Sequence, residues 1–358
     1  RQRQMCIRDS VSMEYYNTKT KDVIWNKALP VINGAFSPDG GPKANYTTNL
    51  NMCETSNKGF ELALNTRNII TKNFTWSSSV TFNHNKEKIT KLSGGDSDVL
   101  NNGDTGYALA LGEAINSYYH YKLDGVWQKG EETDAAVFGA APGDLKINIP
   151  NLVKESDGRF YKIDEETGSA AVDENGNVIY YTSDNKYTPS DADYQILGHN
   201  SPDWSLGFQN NFTWKDFDLS VFVYARYGQM FAYDMLTSYD PKGIRNFPTY
   251  FNYWTENNPS NDFPAANANK GLEQYTGYYA LRYVDGSFIK IKNITLGYSL
   301  PKSILKSAGI EKCRFYATIT NPFVFAKSHL LKDYDPEMNG SLKYPLTKQF
   351  VFGVNVTF

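Results

Sequence analysis

Apolar and polar residues alternate with a period of two along much of the chain, the pattern of strands whose two faces meet different surroundings. From 204 to 214, Trp204, Leu206, Phe208, Phe212 and Trp214 share one parity, interrupted only by Asn210. Ser205, Gly207, Gln209, Asn211 and Thr213 hold the other. A tilted strand needs about 9–11 residues to cross a bilayer, and this run has that length. It carries Trp at both ends, where an amphipathic ring sits at headgroup level. After Lys215 and Asp216 alone, Phe217, Leu219, Val221, Val223, Ala225 and Tyr227 form a second apolar row, so the pair predicts a tight hairpin.

The same rhythm predicts strands over 11–25, 57–67, 73–90, 288–300 and 311–320, and a last one ending at Phe358. Within 288–300 the phase changes near Lys292 and Asn293, which predicts a bulge or an exit from the membrane. A soluble sandwich also alternates. Strand length, aromatic ends and loop asymmetry favour a transmembrane barrel, which has short periplasmic turns and long extracellular loops. Connections after Asn68, Trp214 and Leu300 are short. With the C-terminus on the periplasmic side, the short turns 215–216 and 301–310 fall inside, and 228–287 and 321–347 fall outside. Strands hidden within 91–203, for instance between Ile115 and Trp127, must then come in pairs. The expected fold is all-β: part of an antiparallel transmembrane β-barrel of about eight to ten strands, forming an open, curved sheet with long extracellular loops.

Composition agrees with this. Aromatic residues make up 15%, led by 26 Tyr and 21 Phe, while the mean hydropathy is −0.52. A wall that alternates oily and wet faces reconciles many rings with a polar average. No run of apolar residues is long enough for a membrane-spanning helix, and a barrel is the other structure that pairs every backbone group in lipid. A net charge of −3 gives no electrostatic case for nucleic acid.

Candidate chemistry adds little. Cys6, Cys53 and Cys313 have neither metal spacing nor a disulfide framework and read as incidental thiols. His84, His120, His199 and His329 are far apart and read as solvated loop histidines. No phosphate loop or nucleophile elbow is present, so neither catalysis nor a cofactor is expected. Asp173 to Asn177 is similar to the start of a calcium loop, without the ligand at its twelfth position; Asn-Gly there is first a turn signal. Asp335-Pro336-Glu337 reads as a stiffened turn in preference to a paired-carboxylate site. Residues 1–10, RQRQMCIRDS, lack a signal peptide's apolar region and look like translated sequencing-adapter DNA, leaving 11–358 as the barrel segment.

The segment 228–287 is rich in Tyr239, Phe247, Tyr250, Phe251, Tyr253, Trp254, Tyr275, Tyr278 and Tyr279. Such rings either give a ligand or partner a large, stiff contact surface or pack a long loop against itself and the barrel rim.

Tyr283 to Pro301, YVDGSFIKIKNITLGYSLP, resembles the SusC/RagA signature of a tyrosine, a Gly-Ser-Phe turn and a Leu-Gly-Tyr strand ending in Leu-Pro. Gly309-Ile310, the stretch RFYATITNPFVF whose strand ends in Asn321 before aromatic residues, the triplet Asp335-Pro336-Glu337 and Tyr344-Pro345 follow in the family's order. Upstream, Asn57-Lys58-Gly59-Phe60-Glu61, Gly143-Asp144 after Ala-Ala-Pro, and Asp203-Trp204 after Ser-Pro match further family segments. The resemblance implies the C-terminal part of a TonB-dependent outer-membrane receptor barrel, its plug, TonB box and first half missing. The parent it implies is an energy-coupled importer of oligosaccharides or peptides, served by a SusD-like lipoprotein and the TonB complex. It further implies that Phe358 is a signal to the barrel assembly machinery. A siderophore or vitamin receptor without a lid, and a structural or adhesive barrel, are the alternatives. One departure is the segment 145–200, an insertion where the family often carries an acidic Asp-x-Asn-x-Asp-Gly loop.

Overall fold

Eight long strands follow one another through a single antiparallel sheet, each hydrogen-bonded to the next in chain order. The computed structural model describes residues 9–28, 47–92, 99–101, 107–165, 167–239, 242, 248–305 and 309–358. The wall strands are β1 (Ser10–Ala28), β2 (Thr47–Ile70), β3 (Phe74–Leu92), β4 (Trp204–Trp214), β5 (Phe217–Tyr227), β6 (Phe288–Ser299), β7 (Lys312–Ala326) and β8 (Gln349–Thr357). β1 and β8 are not partners, so the sheet is open, as expected of a partial barrel. Of the adapter-like decapeptide, residues 1–8, including Cys6, lie outside the described residues.

The hairpin β4–β5 keeps its register over eleven residues, from Trp204↔Tyr227 to Trp214↔Phe217. β3 pairs directly with β4, from Trp204↔His84 to Trp214↔Phe74, so the described part of 93–203 adds no strand to the wall. Its short strands, including Ser117–His120 and Lys122–Val126 inside the 115–127 stretch, build small sheets of their own. β2 reaches well beyond the expected 57–67 at both ends.

Val11, Met13 and Tyr15 on β1, and Phe350, Phe352, Val354 and Val356 on β8, are exposed on the outward parity. Asn210 breaks the apolar row for a local reason. Its Oδ1 accepts hydrogen bonds from Trp76 Nε1 (3.0 Å) and Ser78 Oγ (2.8 Å), and Ser78 Oγ accepts one from Asn68 Nδ2 (2.8 Å). These outward polar groups satisfy one another across three strands, as a lipid-facing surface requires.

The phase change at Lys292 is a bulge. Ile291 pairs with Phe323 and Asn293 with Thr320, leaving Lys292 opposite Asn321 and Pro322. Asn321 is left-handed (φ 53°), a conformation Asn tolerates better than most residues, and Pro has no N–H for the ladder to lose. β7 therefore runs through the irregularity to Ala326 and does not stop at 320. At Gly297 on β6 a Cβ would collide with Asp218 of β5 and Arg314 of β7. Its absence lets those two side chains bond across the intervening strand, Arg314 Nε to Asp218 Oδ1 at 2.9 Å and Nη2 to Oδ2 at 2.5 Å. Gly59, paired with Tyr16, lies directly beneath that tyrosine's ring, a known way of shielding strand glycines.

The loops share packed cores. Phe231, Tyr233, Leu236, Phe251, Phe263 and Val284 of 228–287 are buried together with Leu331 from the β7–β8 connection. Val126 and Leu145 from the β3–β4 connection bury against Trp254, Tyr275 and Tyr278.

Candidate functional site

The rim of the sheet carries its most concentrated chemistry, and the β6 bulge sets it up. Lys290, paired with Tyr224, points inward, and the extra residue lets Lys292 reach the same side. Lys290 is fully buried; its Nζ donates to Asp335 Oδ2 at 2.5 Å and to Glu337 Oε2 at 2.8 Å. Lys292 Nζ donates to Glu337 Oε1 at 2.6 Å. Asp335 also caps the short 3-10 helix Pro336–Met338 by accepting from Glu337 N at 3.1 Å, with the buried Pro336 at its first position. The triplet thus clamps the β7–β8 connection to the wall. Burial would raise the Glu337 carboxyl, but hydrogen bonds from Lys290 and Lys292 outweigh it and hold the group below the usual range. A carboxylate held ionised between lysines suits a charge clamp better than proton transfer. The turn reading of the triplet stands, with an electrostatic role that the sequence left unseen.

Two further family segments fasten the loops. In Asp285-Gly286-Ser287-Phe288, Ser287 N donates to Asp285 Oδ1 (2.8 Å) and Ser287 Oγ accepts from Gly228 N (3.0 Å). Gln229 Nε2 donates to Gly286 O (3.0 Å). At Gly143 (φ 94°) a side chain would strike Trp254 and Ala265, so glycine admits that loop. Asp144 Oδ1 then accepts from Lys270 Nζ at 2.5 Å.

Beside the clamp, the Tyr224 ring lies under two cations, Lys292 Nζ at 5.1 Å and the Arg226 guanidinium at 5.4 Å from its centroid. Arg226 Nε donates to Tyr224 Oη at 2.7 Å. These two side chains line an open cleft of about 360 Å³ together with Asn200, Ser201, Ser205 and Asn339. Sequence reasoning passed over Lys290, Lys292 and Arg226. The available signal was a cation at an inward position of a strand, and the partners of the lysines lie 45 residues or more downstream.

The aromatic candidates divide. Trp254, Tyr275 and Tyr278 are buried. Trp254 Nε1 donates to Gln128 Oε1 at 2.9 Å, Tyr275 Oη to Ala265 O at 3.0 Å, and Tyr278 Oη to Tyr239 O. Tyr239 and Tyr250 pack against the other loop core. Tyr253 and Tyr279 keep exposed rings, 41% and 53% accessible. Phe247 lies outside the described residues. Phe358 is exposed just beyond β8.

His120 differs from the solvated histidine expected. It stacks on Tyr194 (4.8 Å, 14°), and burial, aided by the Arg282 charge, pushes it down to about 4. Its place between bulky loop residues was invisible because Tyr194 is distant in sequence. Asp173 accepts from the backbone N–H of Asn175 and Asn177 (both 2.9 Å), which is turn chemistry. Among the described residues no three His, Cys, Asp or Glu side chains gather as a metal site, and Cys53 and Cys313 are free and buried.

No family model matches the chain. TonB-dependent receptor P3 of Formosa agariphila is 28% identical over 370 residues, covering 97% of this chain and 32% of that protein. TonB-dependent receptor SusC of Bacteroides thetaiotaomicron is 26% identical over 353 residues, covering 96% of this chain and 29% of its own length. Among solved structures, the RagAB peptide transporter superposes with a TM-score of 0.69 at 23% identity, over 98% of this chain and 34% of the matched one. That likeness establishes the fold. The chain spans about a third of the length of the curated relatives it matches. It is a homologue of TonB-dependent receptors that include SusC, with the fold of the RagAB transporter.

Proposed function

We propose that the chain forms the C-terminal wall and extracellular loops of an outer-membrane TonB-dependent importer of oligosaccharides or peptides. One observation carries the reading: a sequential antiparallel sheet with an apolar outward face holds folded loops over its inward rim through the Lys290–Asp335–Glu337 clamp. Such a wall separates lipid from a polar passage and positions contacts without bond-making chemistry. Import by the whole receptor draws on the TonB complex for energy and on a SusD-like lipoprotein at the extracellular face. The likeness to RagAB, a peptide transporter, supports a peptide as cargo, and the SusC relationship supports the receptor class. Tyr253 and Tyr279, with exposed rings on the loops, are the aromatic candidates for contact with ligand or lipoprotein. Phe358, exposed after β8, is the candidate assembly signal.

The test is made on the full-length receptor containing this segment, expressed in outer membranes. Its electrophoretic mobility should change on boiling, and cells should lose uptake of the cargo when TonB is removed. A soluble protein of heat-independent mobility, or uptake indifferent to TonB, would refute the reading.

A further inference from the structure

We propose that the cleft around Arg226 is a carboxylate-binding subsite on the inner wall, so that the ligand passing it carries an acidic group. The inference rests on the importer reading and adds a ligand class to it. On β5, Arg226 sits in register with Ser205 of β4 and Phe288 of β6. Phe288 is buried on the β6 side, and the small Ser205 lines the cleft on the β4 side. The guanidinium is fixed through Nε, which donates to Tyr224 Oη at 2.7 Å. Its two terminal nitrogens have no carboxylate within ion-pair distance among the described residues.

Two of the nearby acids, Asp335 and Glu337, neutralise Lys290 and Lys292, while Asp203 at the start of β4 lies 3.6 Å from His199 Nε2, a charge pair only when that imidazole is protonated. The other polar groups on the walls are neutral amides and hydroxyls. Asn200 is held by donation to Tyr107 Oη (3.2 Å) and Tyr118 Oη (2.9 Å) and by acceptance from Asn339 Nδ2 (2.9 Å). A pre-positioned guanidinium with its fork free, flanked by neutral donors, matches the planar, two-oxygen geometry of a carboxylate better than a hydroxyl or an ammonium. A neutral sugar would leave the fork without a counter-charge. The acid can belong to a peptide terminus or side chain, or to a sugar acid, since both present the same planar group.

The test uses the purified full-length receptor in detergent and two paired probe sets: mixed tetrapeptides with a free or an amidated C-terminus, and uronate oligosaccharides with free or methyl-esterified carboxyls. Retained species are quantified by mass spectrometry. The wild-type receptor should retain one free-acid set at least about tenfold over its blocked counterpart, the range for hydrogen bonds to a charged group. Whichever set shows the preference identifies the source of the acid. Arg226→Gln should abolish that preference. Ser205→Asp, which sets a carboxylate beside the intact arginine, should abolish it too, so the result does not hang on one variant's folding; heat-dependent mobility checks both. Equal retention of acid and blocked probes by the wild type, or an unchanged preference in both variants, overturns the subsite while leaving the importer reading in place. Retention of none of the probes overturns the subsite as well, while the importer reading stands or falls separately on heat-dependent mobility and TonB-dependent uptake.

Discussion

Replacing Glu337 by Gln should release the β7–β8 connection without unfolding the wall. Glu337 receives two charge-assisted hydrogen bonds, from Lys290 at 2.8 Å and Lys292 at 2.6 Å. Hydrogen bonds to charged groups contribute about 1.5–3 kcal/mol each. The Lys292 side chain is 30% exposed, so its share is discounted towards about 1 kcal/mol or less. Lys290 is fully buried but keeps Asp335 at 2.5 Å, so it is not left alone. The net loss is about 2–3 kcal/mol, which at about 1.4 kcal/mol per factor of ten raises local opening about 30- to 150-fold. Hydrogen exchange on the full-length receptor reads this at the N–H groups of Leu331, Lys332 and Tyr334, which bond to Ser328, His329 and Leu331 carbonyls. Glu256→Gln is the control: its pair with Lys129 is 72% and 58% exposed and should change exchange little. Because the Glu337 pKa is depressed in the folded state, its contribution is complete above the ordinary carboxylate range. It fades as pH falls through the depressed value, so the gap between variant and parent should close in acid. Equal exchange in the Glu337→Gln variant and the parent, or a rise spread over β4 and β5, would refute the clamp.

Two other perturbations test different levels of the fold. Val221→Arg, on the apolar row of β5, should cost about 2–4 kcal/mol of folding free energy if it lies mid-membrane, while Ser220→Arg on the other face should cost much less. Equal effects in denaturant titrations of the reconstituted receptor would contradict the face assignment. In the 145–200 insertion, Asp193 is buried between Lys162 Nζ (2.7 Å) and Tyr187 Oη (2.6 Å), and burial with the Asp193 bond pushes the Tyr187 phenol up to about 12. Tyr187→Phe should cost about 1–3 kcal/mol locally, read as faster protease cleavage within the insertion; unchanged cleavage would remove the pair from its stabilising role.

The wall was legible because its physics is local. On β4, alternate residues face lipid or water, so a string of eleven residues announces both faces and both ends. The end of β7 was misread for an equally local reason. Asn321-Pro322 carries the marks of a terminator, and only the facing Lys292 shows that the irregularity is a bulge in a continuing strand. The loops were opaque because their contacts are distant. Trp254 and Tyr278, read from sequence either as ligand contacts or as loop packing, are buried with Val126 and Leu145, which precede them by over a hundred residues. The clamp depends on a pairing that composition does not encode, two lysines of one strand meeting the acids of a later turn. Arg226 was hidden by its ordinary surroundings, one cation among inward polar residues whose significance appears only once its neighbours' charges are matched off.

Leu331 of the β7–β8 connection is buried in one cluster with Phe231, Phe251, Phe263 and Val284 of the preceding loop. Two stretches of chain that leave the wall at different strands are therefore mechanically one block. A force applied at either is shared by both, and whatever rearranges at this mouth must carry them together or first wrench an aromatic core apart.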